Sequence, residues 1–199
     1  MIYKFPKTNN EMYEVFEIVR NISNFISNYE IGTDKKQKAY KSIIKLRKKY
    51  MLGSYPDMFL WRIFREKGGK TIKEYNESLS KSNVMVTSKS EFQSWTKDKD
   101  KSMTFWGMNN QYITHPEEKP RSLLVGAEIK GNDILLDIQD FLDYLRQCQE
   151  HIYDRNLMGM YIRNIEELED ECEVLVKLKG RKVEVKSIDY NKDSFIPYA

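Results

Sequence analysis

Between Leu52 and Met58 the apolar residues change period, and that change limits what the chain can fold into. Before it, Met12, Val15, Phe16, Val19, Ile22, Phe25 and Ile26 recur at spacings of three and four, which predicts a helix from Asn9 to Tyr29. A second helix is expected from Thr33 to Met51, where Tyr40, Ile43, Ile44 and Leu46 form a narrow stripe among eight Lys and Arg residues. Gly53-Ser54-Tyr55-Pro56-Asp57 is turn chemistry, and short β-like runs follow it. These are Met58 to Phe64, Val84 to Thr87, Glu91 to Thr96, Ser122 to Lys130, and Asp133 to Leu136. A third amphipathic helix is expected from Ile138 to Tyr153, and Glu173 to Leu178 with Val183 to Ile188 reads as a hairpin around Lys179-Gly180-Arg181. Helices at one end and strands after them indicate α+β rather than an alternating parallel fold. The expected division is a helical region, 1–52, and a core, 53–199, within one compact domain.

Charge and cysteine content narrow the function classes. Thirty-three basic residues against 30 acidic ones leave a formal charge of +3, too balanced for a protein that coats duplex nucleic acid but compatible with local basic patches. The basic face of the second helix reads first as an ordinary solvated helix surface and second as a nucleic-acid contact. Cys148 and Cys172, with only His115 and His151 beside them, suit neither a disulfide framework nor a zinc site, so no metal is expected and a reducing compartment is. The first residues lack an apolar h-region and no run reaches the length of a membrane span, which predicts a soluble, cytoplasmic protein without a membrane partner. Asp137 and Asp140 read as acids that complement the start of the third helix.

Three polar features sit on or beside strands where a structural sheet would carry apolar residues. Arg62 lies within Phe59-Leu60-Trp61-Arg62-Ile63-Phe64, and a guanidinium there needs an anion. Ser94 and Thr96, two apart, share a strand face, with Trp95 on the other. Carboxylates crowd between Glu167 and Glu173, where Glu171 and Glu173 would share a face opposite Cys172. Taken singly, each has a plain structural reading: a strand-end Arg reaching solvent, an exposed strand face, a solvated acidic loop.

Taken together, in this order, they resemble the mono-ADP-ribosyltransferases of the arginine-serine-glutamate class, the clostridial-toxin and ecto-enzyme lineage. Leu60-Trp61-Arg62 matches the strand Arg, Phe92-Gln93-Ser94-Trp95-Thr96 the aromatic-x-Ser-x-Ser/Thr strand, and Glu171-Cys172-Glu173 the Glu-x-Glu that opens a late strand. Ser102 and Phe105 fall where that family places a small residue and an aromatic one. The match spans residues 58–190; Ile63 replaces the Gly that often follows the Arg, and Trp95 replaces a small residue. The resemblance implies a split β-sandwich of two packed, mainly antiparallel sheets with N-terminal helices. It implies NAD as co-substrate and transfer of ADP-ribose to a macromolecular acceptor, protein arginine or nucleic acid, as in a bacterial toxin, with an antitoxin partner, or a phage-encoded effector. The alternatives are an NAD glycohydrolase using the same site and a non-catalytic interaction protein. In the implied site Glu173 stabilises the ribosyl cation and Glu171 orients or deprotonates the acceptor. Ser94 holds Glu173 or the ribose, Thr96 lines the same pocket and Arg62 binds the NAD phosphates. Phe105 or Trp106 stacks on nicotinamide, and Tyr161, in a loop over Met158 to Asn164, contacts the acceptor.

Overall fold

The computed structural model describes residues 1–26, 33–65, 84–86, 92–102, 122–148, 155–166 and 172–190. The chain is α+β, with helices and two antiparallel sheets. A two-stranded ribbon pairs β1 (Ile2–Tyr3) with β2 (Met51–Leu52). Its strands flank α1 (Asn9–Ile26) and α2 (Thr33–Lys49), so the ribbon ties the start of the chain to the end of the second helix.

The start of α1 is set by a capping box. The Glu11 amide donates to Thr8 Oγ1 at 3.3 Å and the Thr8 amide donates back to the Glu11 carboxylate at 3.3 Å, which satisfies donors that the first turn leaves open. Val15, Val19 and Ile22 of α1 and Ala39, Ile43 and Leu46 of α2 are fully buried in one core. That core also takes Leu135, Leu136, Phe92 and Leu175, so the helical region and the later strands share a single apolar interior. Glu14 joins the two helices on their outer side. It pairs with Lys45, accepts from Lys49 at 2.9 Å and accepts from the Tyr50 hydroxyl at 2.7 Å.

The large sheet is assembled from β3 (Met58–Arg65), β4 (Val84–Val86), β5 (Gln93–Thr96), β6 (Ser122–Ile129), β7 (Ile134–Asp137), β8 (Glu173–Val176) and β9 (Lys182–Tyr190). Their order is β4-β9-β6-β3-β5-β8-β7, all antiparallel. The pairing is uneven. All eight residues of β3 register with β6, and all four of β5 register with β8, yet β3 and β5 meet at the single pair Trp61↔Thr96. The sheet is two well-paired halves joined by a narrow seam. Leu60, Ala127, Ile129 and Val183 from one half pack with Trp95, Ile134, Val174 and Val176 from the other in a second buried core.

This arrangement corrects the expected hairpin. β8 and β9 are consecutive in sequence but not neighbours, because β5 and β7 already occupy both edges of β8. The turn at Gly180 instead carries the chain from one half to the other, as Gly131 does between β6 and β7. The two crossings are tied together: the Lys177 amide donates to the Asp133 carbonyl at 2.7 Å and Arg181 pairs with the Asp133 carboxylate. Gly131 is required by close approach, since a Cβ there would lie 1.8 Å from the Tyr55 carbonyl oxygen.

Two helices complete the chain, α3 (Ile138–Cys148) and α4 (Arg155–Glu166). Asp137 caps α3, its carboxylate accepting from the Gln139 amide at 3.1 Å, which matches the role expected of a first-turn acid. The end expected for this helix, beyond Cys148, lies outside the described residues, as do most residues between β3 and β5 and between β5 and β6.

Burial pushes the Glu14 carboxyl up, but Lys45, Tyr50 and Lys49 outweigh it and hold the group at about 2, below its ordinary 4.5. A carboxyl depressed in the folded chain contributes stability above its unfolded value and loses it as pH falls toward the folded one. Glu14→Gln is therefore expected to flatten the loss of stability between about pH 4.5 and 2, measured as urea midpoints across that window against the parent chain. Parallel curves for the two proteins would remove Glu14 from the acid response.

Candidate functional site

Strand order brings the three sequence features side by side. Arg62 is on β3, Ser94 and Thr96 on β5 and Glu173 on β8, and these strands are consecutive in the sheet although their residues lie far apart in the chain. Thr96 registers with Glu173 on one side and with Trp61 on the other, so the three side chains share a face, along with Ser94. Glu173 is only 3% exposed and Thr96 8%. Thr96 also holds its own turn, its hydroxyl accepting from the Asp98 amide at 3.1 Å.

Arg62 does not share that face. It registers with Val125, one step along from Leu60 and Ala127, and so belongs to the face that forms the core between the two halves. The guanidinium donates to the Ser94 carbonyl. Beyond the single pair at Trp61, β3 and β5 have parted, and the Arg62 side chain takes the place that a ladder hydrogen bond would fill. Burial pushes the guanidinium down to about 10, and the Glu173 carboxylate acts against that shift. The two charges therefore sense each other across β5, with Arg62 acting on the strand backbone. The expected contact with NAD phosphates does not follow from this position.

The turn into β8 is set by Cys172, whose φ of 51° lies in the left-handed region. Strand alternation in β8 begins at Glu173, and the expected sharing of a face by Glu171 and Glu173 rests on a residue outside those described. Glu171, Phe105 and Trp106 lie outside the described residues. Ser102 is described and buried, in the helical turn after β5. Lys97 next to Thr96 pairs with Asp137 at 2.9 Å, and its amide donates to the Cys172 carbonyl at 3.1 Å, so the ladder runs one residue past Glu173.

Tyr161 is a second correction. Met158, Tyr161, Ile162 and Ile165 stand at helical spacing, and α4 buries them against α1, where the Tyr161 ring lies 5.8 Å from that of Phe16. At 8% exposure Tyr161 is a core residue and offers no acceptor surface. In its place the fold offers an aromatic pair that the sequence reading passed over. Phe59 and Trp61 pack edge to face, their centroids 5.2 Å apart, on the face that carries Thr96 and Glu173; Phe59 is 43% exposed. Gly126 makes room for them, since a Cβ there would lie 2.8 Å from both rings. Alternation on β3 was the available signal, because it places Phe59 and Trp61 together on the face opposite Arg62.

Two surface cavities lie away from this site. One of about 250 Å³ sits by the chain crossings, lined by Lys130, Asp133 and Arg181, and one of about 480 Å³ lies between α1 and α2. Among the described residues no three His, Cys, Asp or Glu side chains gather as metal ligands would, and no helix is long and apolar enough to cross a membrane.

Removing a charged donor leaves the Ser94 carbonyl that it serves without its partner, at a cost of about 1.5–3 kcal/mol. Arg62→Ala is expected to lower the unfolding free energy by that order in urea titrations. A loss below about 1 kcal/mol, the scale of an exposed ion pair, would mean that the seam does not depend on Arg62. No family model, curated protein or solved structure matches the chain, so the site is read from its own residues.

Proposed function

We propose that the chain is an NAD-dependent mono-ADP-ribosyltransferase acting on a macromolecule, with the split, ADP-ribosyltransferase-like arrangement of two antiparallel half-sheets. The observation that carries the reading is the buried Glu173 carboxylate, registered against Thr96 and, through it, Trp61, on the middle strands of a sheet that nearly divides at that point. Ser94 and Thr96 supply hydroxyls on the same face.

The chemistry asked of these groups is limited. The bond from nicotinamide nitrogen to ribose C1 breaks with its electron pair leaving on nicotinamide, and positive charge develops at C1 and the ring oxygen, as in glycoside cleavage. A fixed carboxylate withdrawn from water stabilises that charge more than a solvated one, because little reorganisation is needed as the charge appears. Glu173 takes this role. The acceptor then bonds to C1 from the opposite side and releases a proton, a step the family resemblance assigns to Glu171. Trp61, with the Lys99 ammonium 5.2 Å from its ring centroid, is the aromatic side chain placed to stack on one of the two bases of NAD. Arg62 positions the site indirectly, by fixing the backbone of β5 where Ser94 sits.

Glu173→Gln is expected to cut nicotinamide release from NAD by at least ~10²-fold, the usual loss for an electrostatic group of the transition state, while NAD affinity stays within about tenfold. The assay is incubation with NAD labelled in the adenosine half and cell lysate, reading label on protein, on nucleic acid and as free ADP-ribose. Label only in free ADP-ribose would indicate a glycohydrolase, and undiminished turnover in the variant would remove Glu173 from the chemistry. Trp61→Ala should weaken NAD binding by about 1–3 kcal/mol, the scale of a base stacked on an aromatic ring. An unchanged dissociation constant by calorimetry would leave the aromatic pair as packing alone.

A further inference from the structure

The positive charge of this chain is concentrated in one helix. α2 holds eight Lys and Arg residues against one Asp, a local charge of +7 in a chain whose formal charge is +3, so everything outside the helix is net −4. Such asymmetry within a balanced composition points to a polyanionic partner.

The acidic side chains of α1 answer only part of this charge. Glu14 and Glu11 take Lys45 and Lys49, while Arg47 donates to the Gly53 carbonyl at 2.6 Å and lies over the Tyr55 ring. Lys36 lies 5.1 Å from the centroid of the Phe92 ring. Lys35, Lys38, Lys41 and Lys48 are exposed, and among the described residues no carboxylate pairs with them. Ala39, Ile43 and Leu46 define the buried side of α2; Lys38, Lys41 and Lys48 stand away from it, and Lys35, one turn before Ala39, is exposed in the first turn of the helix, so the four span a rise of about 20 Å.

We propose that this face of α2 docks the phosphate backbone of a nucleic acid. Ammonium groups on flexible stems are point charges suited to phosphate oxygens, and their repeat along a helix follows a backbone without reading bases. A lipid surface is disfavoured because an interfacial helix needs a free apolar face, and that of α2 is packed against α1 and the sheet. An acidic protein is disfavoured because protein interfaces centre on apolar anchors, and none of the exposed large hydrophobic side chains belongs to α2. The proposal uses no residue of the Glu173 site and stands without the previous one.

The test is fluorescence anisotropy of the full chain with a labelled single-stranded RNA and a labelled DNA duplex. Four phosphate contacts predict a slope of about −3 in log K against log salt for the single strand and nearly −4 for the duplex, a roughly 50-fold and a roughly 150-fold loss between about 50 and 200 mM. Replacing Lys35, Lys38, Lys41 and Lys48 together by Ser should abolish most of the binding and flatten the slope, with circular dichroism confirming an intact fold. The same four positions changed to Arg should retain it. A control with Lys182→Ser and Lys186→Ser, on β9 and five places along the sheet from β7, the strand that α2 packs against, should bind as the parent does. The proposal fails if neither nucleic acid binds at low salt, if the Ser variant keeps its affinity and slope, if the control loses as much as the Ser variant, or if phosphatidylserine vesicles bind more tightly than both nucleic acids.

Discussion

The large sheet depends on what happens where its two halves meet. β3 and β5 share one registered pair, and past it the Ser94 carbonyl is taken by the Arg62 guanidinium in place of a backbone amide. Withdrawing that guanidinium from water is unfavourable; the Ser94 carbonyl offsets it directly, and the Glu173 carboxylate across the strand acts in the same direction. Scaffold and site are therefore coupled. The carboxylate that favours the charged guanidinium stands on the opposite face of the sheet, beside Thr96.

Around that seam the rest of the molecule supplies enclosure. The helices cover the β7 and β8 side through Leu135, Leu136 and Leu175, while Phe59 of β3 remains open to solvent. Glu173 stands at the border between the covered and open parts of one sheet face, close to solvent yet shielded from it. The two chain crossings, fixed to each other by Lys177, Asp133 and Arg181, close the interior on their side.

Much of this was legible in the sequence, because period and composition report local structure. The first two helices, the edges of β3, β6 and β7, the apolar run of β8 and the capping role of Asp137 all follow from spacings within a few residues. What local patterns cannot report is which strand lies beside which. Alternation places Ser94 opposite Trp95 but does not say that Arg62 registers with Val125 and so turns inward, nor that β8 and β9 have other partners. Tyr161 was misplaced for a different reason. The family resemblance argued for a loop, and the three-and-four spacing of Met158, Tyr161, Ile162 and Ile165, which was in plain view, outweighed it in the fold.

The left-handed residue at Cys172 has a consequence for how such a site can change over generations. Because the backbone reverses its hand immediately before β8, the side-chain alternation of that strand is counted from Glu173 and not from anything upstream. Glu173 keeps its face only while the register of β8 with β5 holds, and a single insertion between Glu173 and Val174 would turn the carboxylate to the other side of the sheet. The hinge in handedness marks where a fixed register begins.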